Sequence, residues 1–169
     1  MGAITFALAA FPLAGVDVAI LIYLPPHLSG HLGVPLGVVG ASWATVRLLD
    51  IVVDPVLGVV MDATRTKFGR YRPWMLGGAP ILLLATWMLF FAKPGIGGLY
   101  LIGWLLALYL GRSMLHLANP AWAATLAKSY HERSRLYGVM AAVSVGATQI
   151  VLCLPVLNAP MHAPDYRNI

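Results

Sequence analysis

Long runs of apolar residues restrict this chain more than any other feature of its sequence. About five such runs of roughly 20 residues follow one another, each long enough to cross the hydrocarbon core of a bilayer as an α-helix. Only 10% of the residues are charged and 60% are hydrophobic, whereas soluble domains carry about 25% charged residues. The sequence therefore predicts an all-α fold, a polytopic membrane helical bundle of about five transmembrane helices.

The apolar runs and the turns between them set the domain organisation. The predicted helices lie near residues 3–24, 36–60, 74–92, 98–117 and 136–157, and together they form one bundle over residues 1–157. Residues 158–169 are predicted to form an extracytoplasmic tail or the start of a missing continuation. Asp17 within the first run argues against a cleaved signal peptide. The single cysteine, Cys153, lies in an apolar run and predicts no disulfide framework.

Basic residues indicate which connections face the cytoplasm. The second and fourth connections, 61–73 and 127–135, hold seven Lys and Arg residues, and the other segments outside the spans hold two. Because cytoplasmic loops carry an excess of Lys and Arg, the N-terminus is predicted to be cytoplasmic. We expect an integral protein of a bacterial inner (plasma) membrane. The net charge of +5 is then explained by basic residues that orient the chain in the membrane, and no nucleic-acid partner is expected.

Five charged residues fall inside the predicted spans: Asp17, Arg47, Asp50, Asp54 and Arg112. Each costs at least about 2.5 kcal/mol at the bilayer centre and needs a partner or water. Asp50 and Asp54 are one helical turn apart, so both cannot ionise in a dry site without a counter-cation. With Asp17 in the same cavity, three carboxylates face two arginines, and one monovalent cation would balance them. The spacing predicts a proton or Na⁺ site; fixed ion pairs that only hold helices together are the alternative.

Helix four carries a second polar stripe, and helix two ends in an acid. Arg112, His116 and Asn119 fall within about 60° of one another on a helix. Asp62 lies near the C-terminal end of helix two, where the helix dipole disfavours an anion, so it is expected to pair with Arg65, Arg70 or another helix's N-terminus. By contrast, His27 and His31 lie in a connection with no nearby Cys or carboxylate, and they are interpreted as solvated loop histidines.

The stretch from Arg47 to Trp74 is the most specific part of the sequence. It reads R-L-L-D-I-V-V-D-P-V-L-G-V-V-M-D-A-T-R-T-K-F-G-R-Y-R-P-W. An arginine and two intramembrane carboxylates ending in D-P precede G-x-x-x-D-x-T and a G-R-Y-R-P-W loop. This pattern resembles helix two and the following loop of the glycoside-pentoside-hexuronide:cation symporters, the melibiose permease branch of the major facilitator superfamily. Asp17 in G-V-D-V-A-I matches that family's helix-one acid. The resemblance covers helices one to four, weakens after Trp122, and implies the N-terminal half of a twelve-helix transporter.

The resemblance implies cation-coupled symport of a sugar or related small solute. The coupling ion would be Na⁺ or H⁺, with no cofactor and no enzymatic activity. By this resemblance Asp50 and Asp54, with Asp17, would bind the cation. The residues expected on the substrate side are Asp17, Trp122, Asn119 and Arg112. Those expected in a gate and its charge network are Arg47, Asp62, Arg65, Arg70 and Arg72. The implied partners are membrane lipids, a small-molecule substrate and a missing C-terminal half or second chain.

Two departures from the family pattern bear on the substrate. The family's sugar-binding acid on helix four corresponds to Ala118 or Asn119, and its helix-five arginine to Ala141, so a specificity like that of melibiose permease is not expected. Three other functions fit parts of the sequence. They are a lipid carrier of the same fold, a truncated membrane protein that transports nothing, and a membrane phosphatidyl-alcohol transferase. The transferase would need its acids where Mg²⁺ and headgroups reach them, whereas Asp50 lies near mid-span.

Overall fold

Helices account for nearly all of the chain that the computed structural model describes, which is residues 2–67, 69–93, 95–126 and 129–158. The first helical rod, α1, consists of Gly2–Val18, a π-helical turn over Ala19–Tyr23, and Leu24–Gly30. The others are α2 (Leu36–Ala63), α3 (Arg72–Phe90), α4 (Gly98–Leu126) and α5 (Tyr130–Asn158). The all-α prediction is confirmed. The predicted tail beyond residue 158 lies outside the described residues, as does Lys128.

The packing is organised around α4. Helix α3 packs along one side of it and α2 along another, while α1 and α5 pack along each other. A shared apolar core joins Leu24 and Leu28 of α1, Val46 of α2, Leu89 of α3 and Leu105 of α4, each at most 1% exposed. A single apolar core therefore joins α1, α2 and α4, the helices that carry the charged residues of the predicted spans.

Two glycines let α3 and α4 approach closely. A Cβ atom at Gly111 would lie 2.7 Å from the backbone nitrogen of Leu82, and one at Gly78 would lie 2.9 Å from Cβ of Met114. Both distances are too short for real side-chain atoms, so the contact requires glycine at these positions. Since Gly111 immediately precedes Arg112, this contact also fixes where the polar stripe of α4 lies.

Four helices are long and apolar enough to cross a membrane, judged by length and composition within the described residues. Their candidate spans are Ala10–Gly30, Arg72–Phe90, Gly98–Thr125 and Tyr130–Cys153. Helix α2 is not among the four, although its 28 residues extend about 42 Å. It carries four charged residues, Arg47, Asp50, Asp54 and Asp62. The predicted membrane span over residues 36–60 therefore stays a prediction.

The first helix continues past its predicted end near residue 24. Only Leu24 separates the π-helical turn from Pro25 and Pro26, and the wider winding of this turn gives the proline rings room that a regular α-helical turn would not. His27 consequently lies within the helix. Its Nε2 is 3.1 Å from the carbonyl oxygen of Phe90, at the end of α3. The interpretation of His27 as a solvated loop residue is corrected accordingly.

The ends of α4 and α5 also differ from the sequence prediction. Helix α4 runs nine residues beyond the predicted residue 117, through Pro120, because a transmembrane helix tolerates a proline when its neighbours satisfy the backbone. Helix α5 begins at Tyr130 rather than near 136. The Ser129 hydroxyl accepts a hydrogen bond from the Glu132 backbone N–H at 3.2 Å, which caps this earlier start.

Candidate functional site

Asp17 of α1 is held by two side chains of α4. The Arg112 Nε donates to Asp17 Oδ1 at 2.6 Å, and the His116 Nε2 lies 2.9 Å from Oδ2. Arg112 and His116 are one turn apart, so they face the carboxylate from the same side of α4. About 29% of the Asp17 side chain and 26% of Arg112 remain exposed. The ion pair is thus partly shielded and still accessible to a solute.

A cavity of about 300 Å³ opens beside this ion pair, between α1, α4 and α5. Its polar lining combines Asp17, His116 and Asn119 with two hydroxyl residues of α5, Ser144 and Thr148. The sequence stripe of α4 predicted that His116 and Asn119 lie together, and they do. Ser144 and Thr148 were missed, although their spacing of four residues in an otherwise apolar helix is a readable signal. The cavity offers a carboxylate, an imidazole, an amide and hydroxyls to a small polar ligand.

The second acidic centre lies on α2. Asp50 is 8% exposed, and its Oδ1 accepts a hydrogen bond from the Ser113 hydroxyl of α4 at 3.1 Å. Arg47, one turn earlier, donates to Asp50 Oδ2 at 3.3 Å. Ser113 is a further residue that the sequence reading missed, although it directly follows Arg112. The carboxylate is thereby held between α2 and α4.

Asp54 differs from Asp50 in its surroundings. Its Oδ1 is buried and has no hydrogen-bond partner among the described residues. A buried carboxylate oxygen without a donor is costly unless a proton or a cation occupies it. Asp50 and Asp54 are one helical turn apart, about 6 Å along the axis. Within the described residues no group of three or more His, Cys, Asp or Glu is placed to hold a metal ion, so a small hard cation would rely on these oxygens.

A buried tyrosine lies between the two acidic centres. The guanidinium carbon of Arg47 is 5.7 Å from the Tyr109 ring centroid, and that of Arg112 is 5.8 Å from it. Both distances are within cation–π range, and Tyr109 is only 6% exposed. The arginine that pairs with Asp50 and the arginine that pairs with Asp17 therefore contact the same ring.

The predicted gate residues fall in two places. Asp62 accepts a hydrogen bond from the Tyr71 hydroxyl at 2.8 Å and lies 3.8 Å from the Arg70 guanidinium. The expected pairing of Asp62 with Arg70 is therefore present in the structure. Arg47, in contrast, is 15 residues earlier on the same helix, about 22 Å away, and belongs to the Asp50 centre.

Trp122 lies apart from the cavity that contains Asp17. The guanidinium carbon of Arg72 is 5.0 Å from its ring centroid, and Trp122 lines a different cavity with Arg70 and Arg72. Of the residues expected on the substrate side, the structure brings together Asp17, Arg112 and Asn119 and places Trp122 near the loop before α3.

Removing one partner of the Asp17–Arg112 pair is expected to destabilise the fold more than removing both. Asp17→Ala leaves the partly buried Arg112 without its acceptor, and we expect a loss of about 2 kcal/mol in the free energy of unfolding. Adding Arg112→Ala should recover part of that loss. A double-mutant cycle by denaturant unfolding in detergent micelles measures both effects. Arg135→Gln, which replaces an exposed charge of α5, serves as the control, and strictly additive effects would contradict a direct interaction between Asp17 and Arg112.

The helical bundle, with charged sites between its helices and four helices long and apolar enough to cross a membrane, defines a polytopic helical membrane protein. The family described as MFS/sugar transport protein matches residues 5–162. The chain belongs to this family of the major facilitator superfamily, in the branch of the glycoside-pentoside-hexuronide symporters, and it is an integral membrane protein. The resemblance inferred from Arg47 to Trp74 is confirmed. No solved structure matches the chain significantly.

Several curated proteins with transporter names are similar to the chain. A symporter of Synechocystis sp., described as uncharacterized, is 30% identical over 149 residues, which are 83% of this chain and 27% of that protein. The glucuronide carrier protein homolog of Escherichia coli is 27% identical over 143 residues, 82% of this chain and 31% of that protein. The lactose permease of Leuconostoc lactis is 32% identical over 82 residues, 48% and 12% respectively. The chain spans less than a third of the length of these relatives.

Proposed function

We propose that the chain forms part of a cation-coupled secondary transporter that carries a sugar or a related small solute by symport. The observation that carries this proposal is the buried Asp54 oxygen, which lacks a donor among the described residues, one turn from the buried Asp50. Intramembrane carboxylates in this arrangement usually mark an ion pathway. The names of the similar symporters and of the lactose permease agree with transport rather than catalysis.

The charge balance supports a monovalent coupling cation. Three carboxylates at depth, Asp17, Asp50 and Asp54, are accompanied by two arginines, Arg47 and Arg112, which leaves one negative charge. Arg47 already neutralises Asp50, and Arg112 neutralises Asp17. Asp54 therefore carries the residual charge, and Na⁺ or H⁺ binding there would remove it. The Ser113 hydroxyl and the Asp50 carboxylate supply further oxygens of the kind that Na⁺ prefers.

The cavity beside Asp17 is the proposed solute site. Asp17, His116, Asn119, Ser144 and Thr148 offer hydrogen-bond donors and acceptors of the type that a polyhydroxylated solute needs. Ala118 or Asn119 takes the place of an acid in the family pattern, so the contact to the solute would rely on the neutral amide of Asn119. We propose that Arg112 positions Asp17 and remains within reach of the solute.

Coupling requires that cation and solute favour the same conformational transition. We propose that the cluster of Asp62, Arg70 and Tyr71 closes one end of the bundle in one of the two states, with Arg65 and Arg72 nearby in the same basic connection. By the excess of Lys and Arg, that end faces the cytoplasm, as does the N-terminus, in a bacterial plasma membrane. Trp122 would then act beside this gate and not against the solute.

A site near the bilayer midplane needs helices on both of its sides. We propose that further helices, from the same polypeptide or a second chain, cover the side of the Asp17 cavity that this bundle leaves open. Membrane lipids would surround the assembly. Uptake measurements therefore use the complete transporter that contains this chain.

Gradient-driven uptake tests the proposed function. Membrane vesicles containing the complete transporter are loaded and diluted to impose an inward Na⁺ gradient, an inward H⁺ gradient or neither, and uptake of labelled lactose and of a labelled glucuronide is followed. Accumulation above equilibrium is expected with one of the two cation gradients and is expected to collapse with the matching ionophore. Uptake that never exceeds equilibrium under either gradient, for any sugar tested, would contradict symport.

A further inference from the structure

A second cavity lies at the end of the bundle where α3 begins. Its volume is about 350 Å³, and it is lined by residues 69–72 together with Trp122 and Thr125 of α4. Two of the lining residues, Arg70 and Arg72, carry positive charge, and as far as the structure describes the lining it contains no carboxylate. The connection over 61–73 holds four basic residues and one acid, a net charge of +3. The cavity is therefore a strongly positive pocket at one end of the helices.

The two arginines are suited to a phosphate group. Arginine presents several N–H donors in a planar fork that matches phosphate oxygens. Arg72 is the first residue of α3, where the helix dipole also favours an anion. Gly69, with φ of 102°, forms part of the wall and adds no side chain there. Charge, donor geometry and open space at this pocket all favour a phosphate-bearing ligand.

The contacts of the two arginines leave donors available for such a ligand. Arg70 is 3.8 Å from Asp62, at the outer limit of an ion pair, and 44% of its side chain is exposed. Asp62 itself is shared with the Tyr71 hydroxyl. The guanidinium carbon of Arg72 lies 5.0 Å from the centroid of the Trp122 ring, and a cation–π contact of this kind does not itself use a guanidinium N–H hydrogen bond.

The surface below the pocket distinguishes a lipid from a soluble phosphate. Starting one turn after Arg72, exposed apolar residues follow one face of α3 at helical spacing: Leu76, Pro80, Leu83 and Trp87. Leu76 is 75% exposed and Leu83 is 68% exposed. A lipid whose phosphate occupies the pocket could lay an acyl chain along this face, whereas a soluble phosphate ester would leave it uncovered.

From these observations we propose that the pocket formed by Arg70, Arg72 and Trp122 binds the headgroup of an anionic phospholipid, with an acyl chain along the exposed face of α3. Basic pockets between transmembrane helices are suited to anionic headgroups because each Lys or Arg near the surface adds about a fivefold factor to binding. This inference concerns a lipid site at the end of the bundle and does not depend on the transported solute or the coupling ion.

Native mass spectrometry of the purified full chain tests the proposal. The chain is reconstituted with palmitoyl-oleoyl phosphatidylglycerol or with phosphatidylcholine carrying the same acyl chains, and the lipid-bound fraction is measured. The variant Arg70→Gln with Arg72→Gln is expected to retain about 25-fold less phosphatidylglycerol, since two basic residues are lost and each contributes about a fivefold factor. The control Arg133→Gln with Arg135→Gln removes the same charge from α5 at the same end of the bundle. Neither residue lines the pocket, so the control should change retention by less than about twofold.

A second measurement does not depend on how the variants fold. Phenylglyoxal modifies accessible guanidinium groups, and phosphatidylglycerol should protect Arg70 and Arg72 from it in the unaltered chain, whereas phosphatidylcholine should not. Equal protection by both lipids would overturn the proposal, as would equal loss of phosphatidylglycerol in both double variants. Full displacement of the lipid by millimolar glycerol phosphate would also overturn the proposal, because it would show that the pocket binds soluble phosphate esters.

Discussion

Asp54→Asn is expected to abolish cation-coupled accumulation of solute, by about a hundredfold or more, while the chain stays folded. Asparagine has nearly the same shape as aspartate but cannot carry the charge that would bind Na⁺ or a proton. The buried Asp54 oxygen has no donor among the described residues, so the substitution removes no hydrogen bond that the structure shows. Because a buried carboxylate oxygen without a donor is costly, the thermal midpoint should stay the same or rise. Uptake in vesicles and unfolding in detergent measure the two effects.

The combination of lost coupling and retained stability is what identifies a cation site. Arg135→Gln likewise replaces an exposed charge with an amide and should leave both measurements unaltered. Solute entry down its own gradient should persist in Asp54→Asn, since the Asp17 cavity does not include Asp54. Concentrative uptake at the unaltered level in Asp54→Asn would remove this residue from the cation site.

Gly111→Val is expected to have the largest effect on folding. A Cβ at this position would lie 2.7 Å from the Leu82 nitrogen and 3.0 Å from the Gly78 carbonyl oxygen. Both are backbone atoms, which cannot rotate away, so α3 and α4 would have to separate. Such overpacking costs about 3 kcal/mol. The displacement would also shift Arg112 and Ser113, which hold Asp17 and Asp50, so transport should be lost with stability.

A second glycine of α4 provides the matched control for this substitution. Gly103 is exposed, and a Cβ there would meet no atom within 4 Å. Gly103→Val should therefore leave the yield of folded protein and its thermal midpoint nearly unchanged, because valine is no worse than glycine in a helix. Comparable losses in both variants would show that the effect comes from any added side chain on α4 and not from its contact with α3.

Much of the fold could be predicted because bilayer-spanning helices are encoded by length and hydropathy alone. The apolar runs gave the order of the helices, but helix ends depend on local chemistry. Pro25 and Pro26 suggested a break that the preceding π-helical turn prevents. The start of α5 was in fact encoded in Ser129-Tyr-His-Glu132, a capping-box sequence that the hydropathy pattern placed in a loop.

The candidate site was predictable where charges lie on one helix and less so where helices meet. Asp50 and Asp54 follow directly from their spacing, and the α4 stripe followed from helical periodicity. Partners across helices are set by tertiary packing, which one sequence does not reveal. Ser113 was missed for this reason, since its position after Arg112 does not show that its hydroxyl reaches Asp50 on another helix. Trp122 was placed with the solute by resemblance, whereas the structure packs it against Arg72.

The π-helical turn over Ala19–Tyr23 has a consequence for the spatial phase of α1. A π-helical turn holds one residue more than an α-helical turn, so side chains beyond it are rotated by about 100° relative to a continuous α-helix. Deleting a single residue from this segment would restore a regular α-helical turn and keep the two halves in their present phase, with Asp17 still facing Arg112 and with Leu24 and Leu28 still in the core. Winding the segment as a regular α-helix at its present length would instead rotate one half by about 100° and break one of these two sets of contacts. The extra residue of the π-helical turn therefore sets the phase in which both halves of α1 meet their partners.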